Sequence, residues 1–237
     1  MSNKYFRFKQ FTVYQDRCAM KVGTDGMLLG AWAEVSGCRR ILDVGAGTGL
    51  IALMMAQRCS EAVIDAVEID NEAYMQAKSN IEASPFADRI NIFNAAFQDF
   101  ARTATAAYDL IISNPPFFVS SLKSPVYKRN IARHDERLPL RELFEAAKLR
   151  LAPEGRIALI VPAPQHIDTE DIASATGLFC IRRTFVIPVL GKEVKRMMAE
   201  WSLRKTEDMT TEFLPLQDAD GVRTAEYCEL TKEFFYH

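Results

Sequence analysis

The segment Ile41-Leu42-Asp43-Val44-Gly45-Ala46-Gly47-Thr48-Gly49 constrains this chain more than any other. An apolar run of strand character enters alternating glycines, and Leu50 to Gln57 (LIALMMAQ) continues with helix-compatible composition. Glycines let the backbone approach a ligand closely, and the helix start that follows favours polar or anionic groups. The pattern is GxGxG, with Leu50 where the dinucleotide fingerprint needs its third glycine, which disfavours NAD. Asp43 at the strand end suits a cationic or hydroxyl-bearing ligand, such as the amino-acid part of S-adenosylmethionine. Asp43, Gly45, Gly47, Thr48 and Gly49 are therefore expected at a cofactor site.

A second strand signal, Ala62 to Asp70, ends in acids. Glu68 follows Gly47 by 21 residues, close to the spacing at which a carboxylate reaches ribose hydroxyls. Glu68 and the adjoining Ile69 join the expected cofactor set. Asn71 is placed to cap a helix whose Ala73, Ala77 and Ile81 share one face. Arg89 to Asn94 reads as a third strand, and its exit at Ala96 and Phe97 is where a cofactor adenine would lie across the strand ends.

The apolar run Tyr108 to Ser113 stops at Asn114-Pro115-Pro116-Phe117. Proline fixes φ near −65° and lacks an N–H, and each residue before a proline is held extended, so the strand exit is stiff. The Asn114 side-chain carbonyl and the Pro115 backbone carbonyl can both accept from one exocyclic NH₂ group. Such a grip favours the sp³ geometry that frees the nitrogen lone pair. Phe117 can stack on the ring that carries the amino group. An ordinary turn also explains these four residues taken alone.

The rest is scaffold. Leu140 to Leu151 has helical spacing, Arg156 to Pro162 reads as a fifth strand, and Asp168 to Thr176 as a helix ended by Gly177. Cys180 to Val189 and Met197 to Leu203 read as a final strand pair, which puts one antiparallel strand into a parallel sheet. With 237 residues, 49% hydrophobic and 25% charged, the chain fits one α/β domain over 1–237: a hairpin and helix in 1–35, then a doubly wound core in 36–237. No apolar stretch approaches a membrane span and the start lacks a secretory signal, so a cytoplasmic protein is expected. Five scattered cysteines without a CxxC pair and only three histidines point to free thiols and no metal.

In order and spacing, the glycine turn, the acid after the second strand and the NPPF tetrapeptide resemble class I S-adenosylmethionine-dependent methyltransferases that act on exocyclic amino or amide nitrogens. That resemblance implies a Rossmann-like, seven-stranded, mostly parallel sheet with an antiparallel last strand, and S-adenosylmethionine as cofactor. Many relatives carry an acid where Ala96 stands, so here Phe97 would hold adenine by stacking and by its N–H. The tetrapeptide alone leaves a nucleobase of rRNA or DNA, or a protein glutamine, open as acceptor. The blocks Phe8 to Phe11 (FKQF), Asp16 to Gly26 (DRCAMKVGTDG) and Ala225 to Phe235 more closely resemble the tRNA1(Val) (adenine37-N6)-methyltransferase family across essentially the whole chain. This implies a valine-accepting tRNA as partner, with the adenine beside its anticodon held by Asn114 and Pro115, within a catalytic set Asn114, Pro115, Pro116 and Phe117. It also implies that Lys21, Gly23, Thr24 and Asp25 lie near the cofactor or close over it.

The net charge of −2 argues against a broad nucleic-acid surface, yet the bases cluster. Residues 1–21 hold five bases against one acid, and residues 123–150 eight against four. Lys123, Lys128, Arg129, Arg133, Lys195 and Arg196 are the expected RNA contacts, since phosphate neutralisation dominates such affinity.

Overall fold

The computed structural model describes residues 3–18, 21–116 and 138–236. Phe117, Lys123, Lys128, Arg129 and Arg133 lie outside the described residues. A hairpin of β1 (Tyr5–Arg7) and β2 (Thr12–Tyr14) precedes α1 (Thr24–Trp32). Then follow β3 (Arg40–Val44), α2 (Leu50–Arg58), β4 (Val63–Glu68), α3 (Asn71–Glu82), β5 (Ile90–Asn94), α4 (Phe97–Thr103) and β6 (Tyr108–Ser113). The second half comprises α5 (Leu140–Arg150), β7 (Leu151–Pro162), α6 (His166–Ala175), β8 (Phe179–Val189), β9 (Arg196–Ser202), β10 (Thr210–Gln217) and α7 (Ala225–Thr231).

One eight-stranded sheet runs β10-β8-β9-β7-β6-β3-β4-β5, and only β9 is antiparallel to its neighbours. The α/β class and the β8–β9 hairpin are as expected, but the sheet has eight strands and not seven. Its last strand, β10, pairs parallel to β8, so the antiparallel strand is the one before it. Thr210 to Gln217 (TTEFLPLQ) contains Pro215, which sheets accept at an edge, where the missing N–H breaks no ladder.

Alternation along the strands sends side chains to two cores, one on each face. Ile41, Leu110, Ile112, Ala158 and Ile160 face the side covered by α1, α2 and the hairpin; Leu42, Val44, Ile111, Ile157 and Leu159 face α4, α5 and α6. Helix α2 is buried from Leu50 through Ala56, as its unbroken apolar run demands. Among the described residues no helix is long and apolar enough to cross a membrane.

The chain runs outward from β3 through β4 to β5, then returns to place β6 on the other side of β3. Helices leaving neighbouring strands diverge at such a switch point, and a crevice opens beyond the carboxyl ends. The glycine turn leaves β3 and Asn114 leaves β6, so both stand at this crevice.

Candidate functional site

Val44 and Ser113 are partners in the β3–β6 register, and the Ser113 hydroxyl donates to Val44 O at 2.7 Å. The strand ends that carry the two motifs are thereby fixed to each other. The glycine turn crosses towards β4, with Gly45 N and Ala46 N donating to Val67 O at 2.9 and 3.1 Å. Gly45 and Gly47 have φ of 74° and 55°, left-handed values that glycine adopts without strain.

Two cavities meet at Gly45, Gly47 and Asn114. The first, about 330 Å³, is lined by Glu68, Ile69, Ala96 and Phe97 of the expected set, and by Pro115, Pro116 and Cys18. The second, about 450 Å³, is lined by Lys21, Gly23, Thr24, Asp25, Thr48 and Arg196. Gly49 lines neither: at φ 80° it caps α2, and a Cβ there would lie 3.3 Å from that of Ala77. Its small size serves the packing of α2 on α3. Lys195 pairs with Glu193 at 3.2 Å on the exposed turn before β9 and lines neither cavity. Asn71 is the first residue of α3, and Asp70 caps it by accepting from Ala73 N at 2.8 Å.

Asp43 lies beneath the turn, 1% exposed. One carboxylate oxygen accepts from Ala52 N at 3.0 Å; the other is buried and accepts no hydrogen bond among the described residues. Burial pushes its pKa up to about 7, the Ala52 N–H opposes that, and the Glu68 charge adds to it. Glu68 is 8% exposed and accepts from Gly47 N at 2.8 Å and Asp70 N at 2.9 Å. The carboxylate therefore stands against the glycine turn. Asn114 shows the same deficit as Asp43: its Oδ1 is buried without a partner among the described residues. Such a carbonyl is costly unless a donor meets it.

Asp25, in the first turn of α1, accepts from Arg196 Nε at 2.8 Å, joining α1 to the start of β9 across the second cavity. Sequence reasoning missed Cys18 as a wall of the first cavity. Burial, then the charges of Glu68 and Asp70, push its thiol up to about 11, which keeps it neutral and poorly nucleophilic. It also missed three buried amides that seat the segment after β2. Gln76 Oε1 accepts from Arg17 N, Gln15 Oε1 accepts from Val22 N, and Asn80 Nδ2 donates to both Tyr14 O and Thr48 O. Their signal is long-range pairing, which no local pattern carries.

The residues lining the cavities fit S-adenosylmethionine: Glu68 can accept from hydroxyls, and a mainly apolar cavity beside it suits an adenine ring, while Asp43 lines neither cavity and lies beneath the turn that does. Residues 22–179 match the family model for the methyltransferase small domain. A structure described as a predicted O-methyltransferase from Agrobacterium tumefaciens superposes with a TM-score of 0.69 at 20% identity, covering 89% of this chain and 96% of that one. A ribosomal protein L11 methylase from Lactobacillus delbrueckii subsp. bulgaricus superposes at 0.51 with 16% identity, over 76% and 77% of the two chains. Both show the fold alone. Proteins of Parabacteroides distasonis, Phocaeicola vulgatus and Trichodesmium erythraeum are 46%, 47% and 44% identical, each over 99% of both chains. All three carry the name tRNA1(Val) (adenine(37)-N6)-methyltransferase, and this chain belongs to that family.

Proposed function

We propose that this protein methylates the exocyclic N6 of adenine 37 in tRNA1(Val), in the cytoplasm where tRNA is processed, with S-adenosylmethionine as the methyl donor. One observation carries the reading: the buried Oδ1 of Asn114, without a partner among the described residues, at the junction of the two cavities. An acceptor held without a donor is complementary to an amino group.

The cofactor is assigned to residues on both sides of that junction. Asp43 and the turn at Gly45 and Gly47, with Thr48, take its amino-acid end, Glu68 its ribose, and Ile69, Ala96 and Phe97 its adenine. Lys21, Gly23, Thr24 and Asp25 wall the adjoining cavity. Bound there, S-adenosylmethionine supplies a methyl group on a positively charged sulfur. The acceptor is held by this chain. Asn114 Oδ1 and Pro115 O accept the two N6 hydrogens, which turns the nitrogen lone pair out of conjugation with the ring. The stiff diproline exit holds both oxygens in place. The methylated nitrogen is acidic and sheds its extra proton to water, so no strong base is required.

Incubation with cofactor labelled in its methyl group, and either unmodified bulk tRNA or a protein extract, tests the proposal. Label is expected in N6-methyladenosine of valine tRNA; label only in protein would overturn it.

A further inference from the structure

We infer that the N-terminal hairpin is a stacking platform for an unpaired nucleotide of the RNA substrate, an inference that rests on the tRNA reading above. Strands β1 and β2 pair Tyr5 with Tyr14, Phe6 with Val13 and Arg7 with Thr12. Alternation gives this two-stranded sheet two faces. Phe6 and Val13 point inward, where Phe6 packs against Phe8 and Phe235 with ring centroids 5.0 and 5.8 Å apart. Tyr5, Tyr14, Arg7 and Thr12 occupy the outward face. The two tyrosines are 48% and 49% exposed, with centroids 5.9 Å apart.

Those rings are dispensable to the fold. A lone hairpin is marginal in water, but here the inward aromatics anchor it. An exposed cross-strand pair adds only about 0.2–1 kcal/mol. Their surroundings match a polyanion. Lys4, Arg7 and Arg17 are exposed, and none of them has an ion-pair partner among the described residues, while Asp16 is the one acid among residues 3–18. Flat rings flanked by cations are what unpaired bases and their phosphates bind, by stacking and by charge respectively.

The platform is also fixed relative to the site. Asn80, 1% exposed, accepts from Tyr14 N at 2.9 Å and donates to Tyr14 O at 2.8 Å. The same amide donates to Thr48 O at 2.9 Å, and Thr48 lines the second cavity with Asn114. The backbone of Tyr14 is thus tied through one side chain to the turn that lines the second cavity, so the platform keeps a fixed position relative to the site.

The test uses Tyr5→Ile/Tyr14→Ile, which keeps apolar, β-favouring side chains and removes the flat rings, beside Tyr5→Phe/Tyr14→Phe, which keeps the rings. Steady-state methylation of unmodified valine tRNA and calorimetric cofactor binding are measured for both and for the parent. The isoleucine pair is expected to raise KM for tRNA by about fivefold or more, the effect of one lost stacked base. Its kcat and cofactor affinity stay at parental values, and the phenylalanine pair keeps the parental KM. Arg7→Gln is expected to flatten the salt dependence of KM, which the isoleucine pair leaves unchanged. A parental KM in the isoleucine pair, with the parent active on tRNA, overturns the platform alone. A parent that does not methylate tRNA overturns the tRNA reading and the platform with it.

Discussion

Asp43 on β3 and Asp65 on β4 are both buried carboxylates, 1% and 5% exposed, on adjacent parallel strands. They differ in what surrounds them. Asp65 pairs in register with Leu42, so the two acids point to opposite faces of the sheet. The Tyr108 hydroxyl donates to Asp65 Oδ2 at 2.7 Å, Asn91 Nδ2 to Oδ1 at 2.9 Å, and Arg40 lies 3.4 Å from Oδ2. Every oxygen there has a partner. Asp43, nearer the carboxyl end of its strand, has one N–H and an oxygen without a partner among the described residues. Of these two carboxylates, the one in the core between strands is fully partnered, and the one beneath the glycine turn is short of a donor among the described residues. Burial and the Asp65 hydrogen bond push the Tyr108 phenol up, so it remains a donor at all physiological pH values.

The largest effect is expected at the other deficient atom. Asn114→Ala should lower turnover by about 100-fold or more while leaving cofactor affinity within a few-fold. Single-turnover methylation and calorimetry separate the two, and unchanged turnover would reduce the tetrapeptide to a turn. At Asp43 the two consequences of its environment have opposite signs. On the proposed reading, in which Asp43 serves the amino-acid end of the cofactor, Asp43→Asn should lower affinity by about tenfold or more. The same change should stabilise the free protein. Between its ordinary value of 3.8 and about 7 the folded carboxyl retains a proton that the unfolded chain has lost. Stability therefore falls as pH rises through that window, and the cost is fully present above it. Thermal melts should show the variant several degrees above the parent near pH 8, with the gap closing by about pH 4. A variant less stable at both values would remove the argument that Asp43 is held at a cost.

The readable parts of this site are local in sequence. Asp43, Gly45 and Gly47 form one continuous turn, Glu68 stands at a countable distance from it, and Asn114 ends an unmistakable apolar strand. Only the family resemblance puts Lys21, Gly23, Thr24 and Asp25 near a cofactor; in the structure they line the second cavity. What no local pattern discloses is which oxygens lack donors, since that depends on Ala52 reaching Asp43 but not its second oxygen. The Gln15, Gln76 and Asn80 amides and the Cys18 wall are hidden for the same reason. Strand β10 escaped because Glu212 and Pro215 interrupt its apolar alternation, which an edge strand tolerates. Gly49 shares the turn with residues that line the cavities, but the atoms a Cβ there would meet are the Cα and Cβ of Ala77.

Asp65 sharpens the comparison from the satisfied side. Tyr108→Phe removes a donor and leaves Oδ2 with Arg40 alone, inside an otherwise packed core. The expected loss is about 1–3 kcal/mol by denaturant unfolding, with kcat and cofactor affinity unchanged. The direction is opposite to that at Asp43: removing a feature of the satisfied carboxylate destabilises, and removing the charge of the deficient one stabilises.

The smallest effect belongs to Arg40. Its guanidinium is 47% exposed and 3.4 Å from Asp65 Oδ2, and water screens a pair of that kind. Tyr108 and Asn91 keep both Asp65 oxygens occupied when the arginine is gone. Arg40→Gln should therefore cost less than about 1 kcal/mol, and the difference should shrink further at high salt. The denaturation midpoint of this variant, measured beside that of Tyr108→Phe, ranks the two partners. A larger loss for Arg40→Gln would mean that Asp65 is held by charge and not by the hydroxyl, and the contrast with Asp43 would then rest on a counter-ion instead of a count of hydrogen bonds.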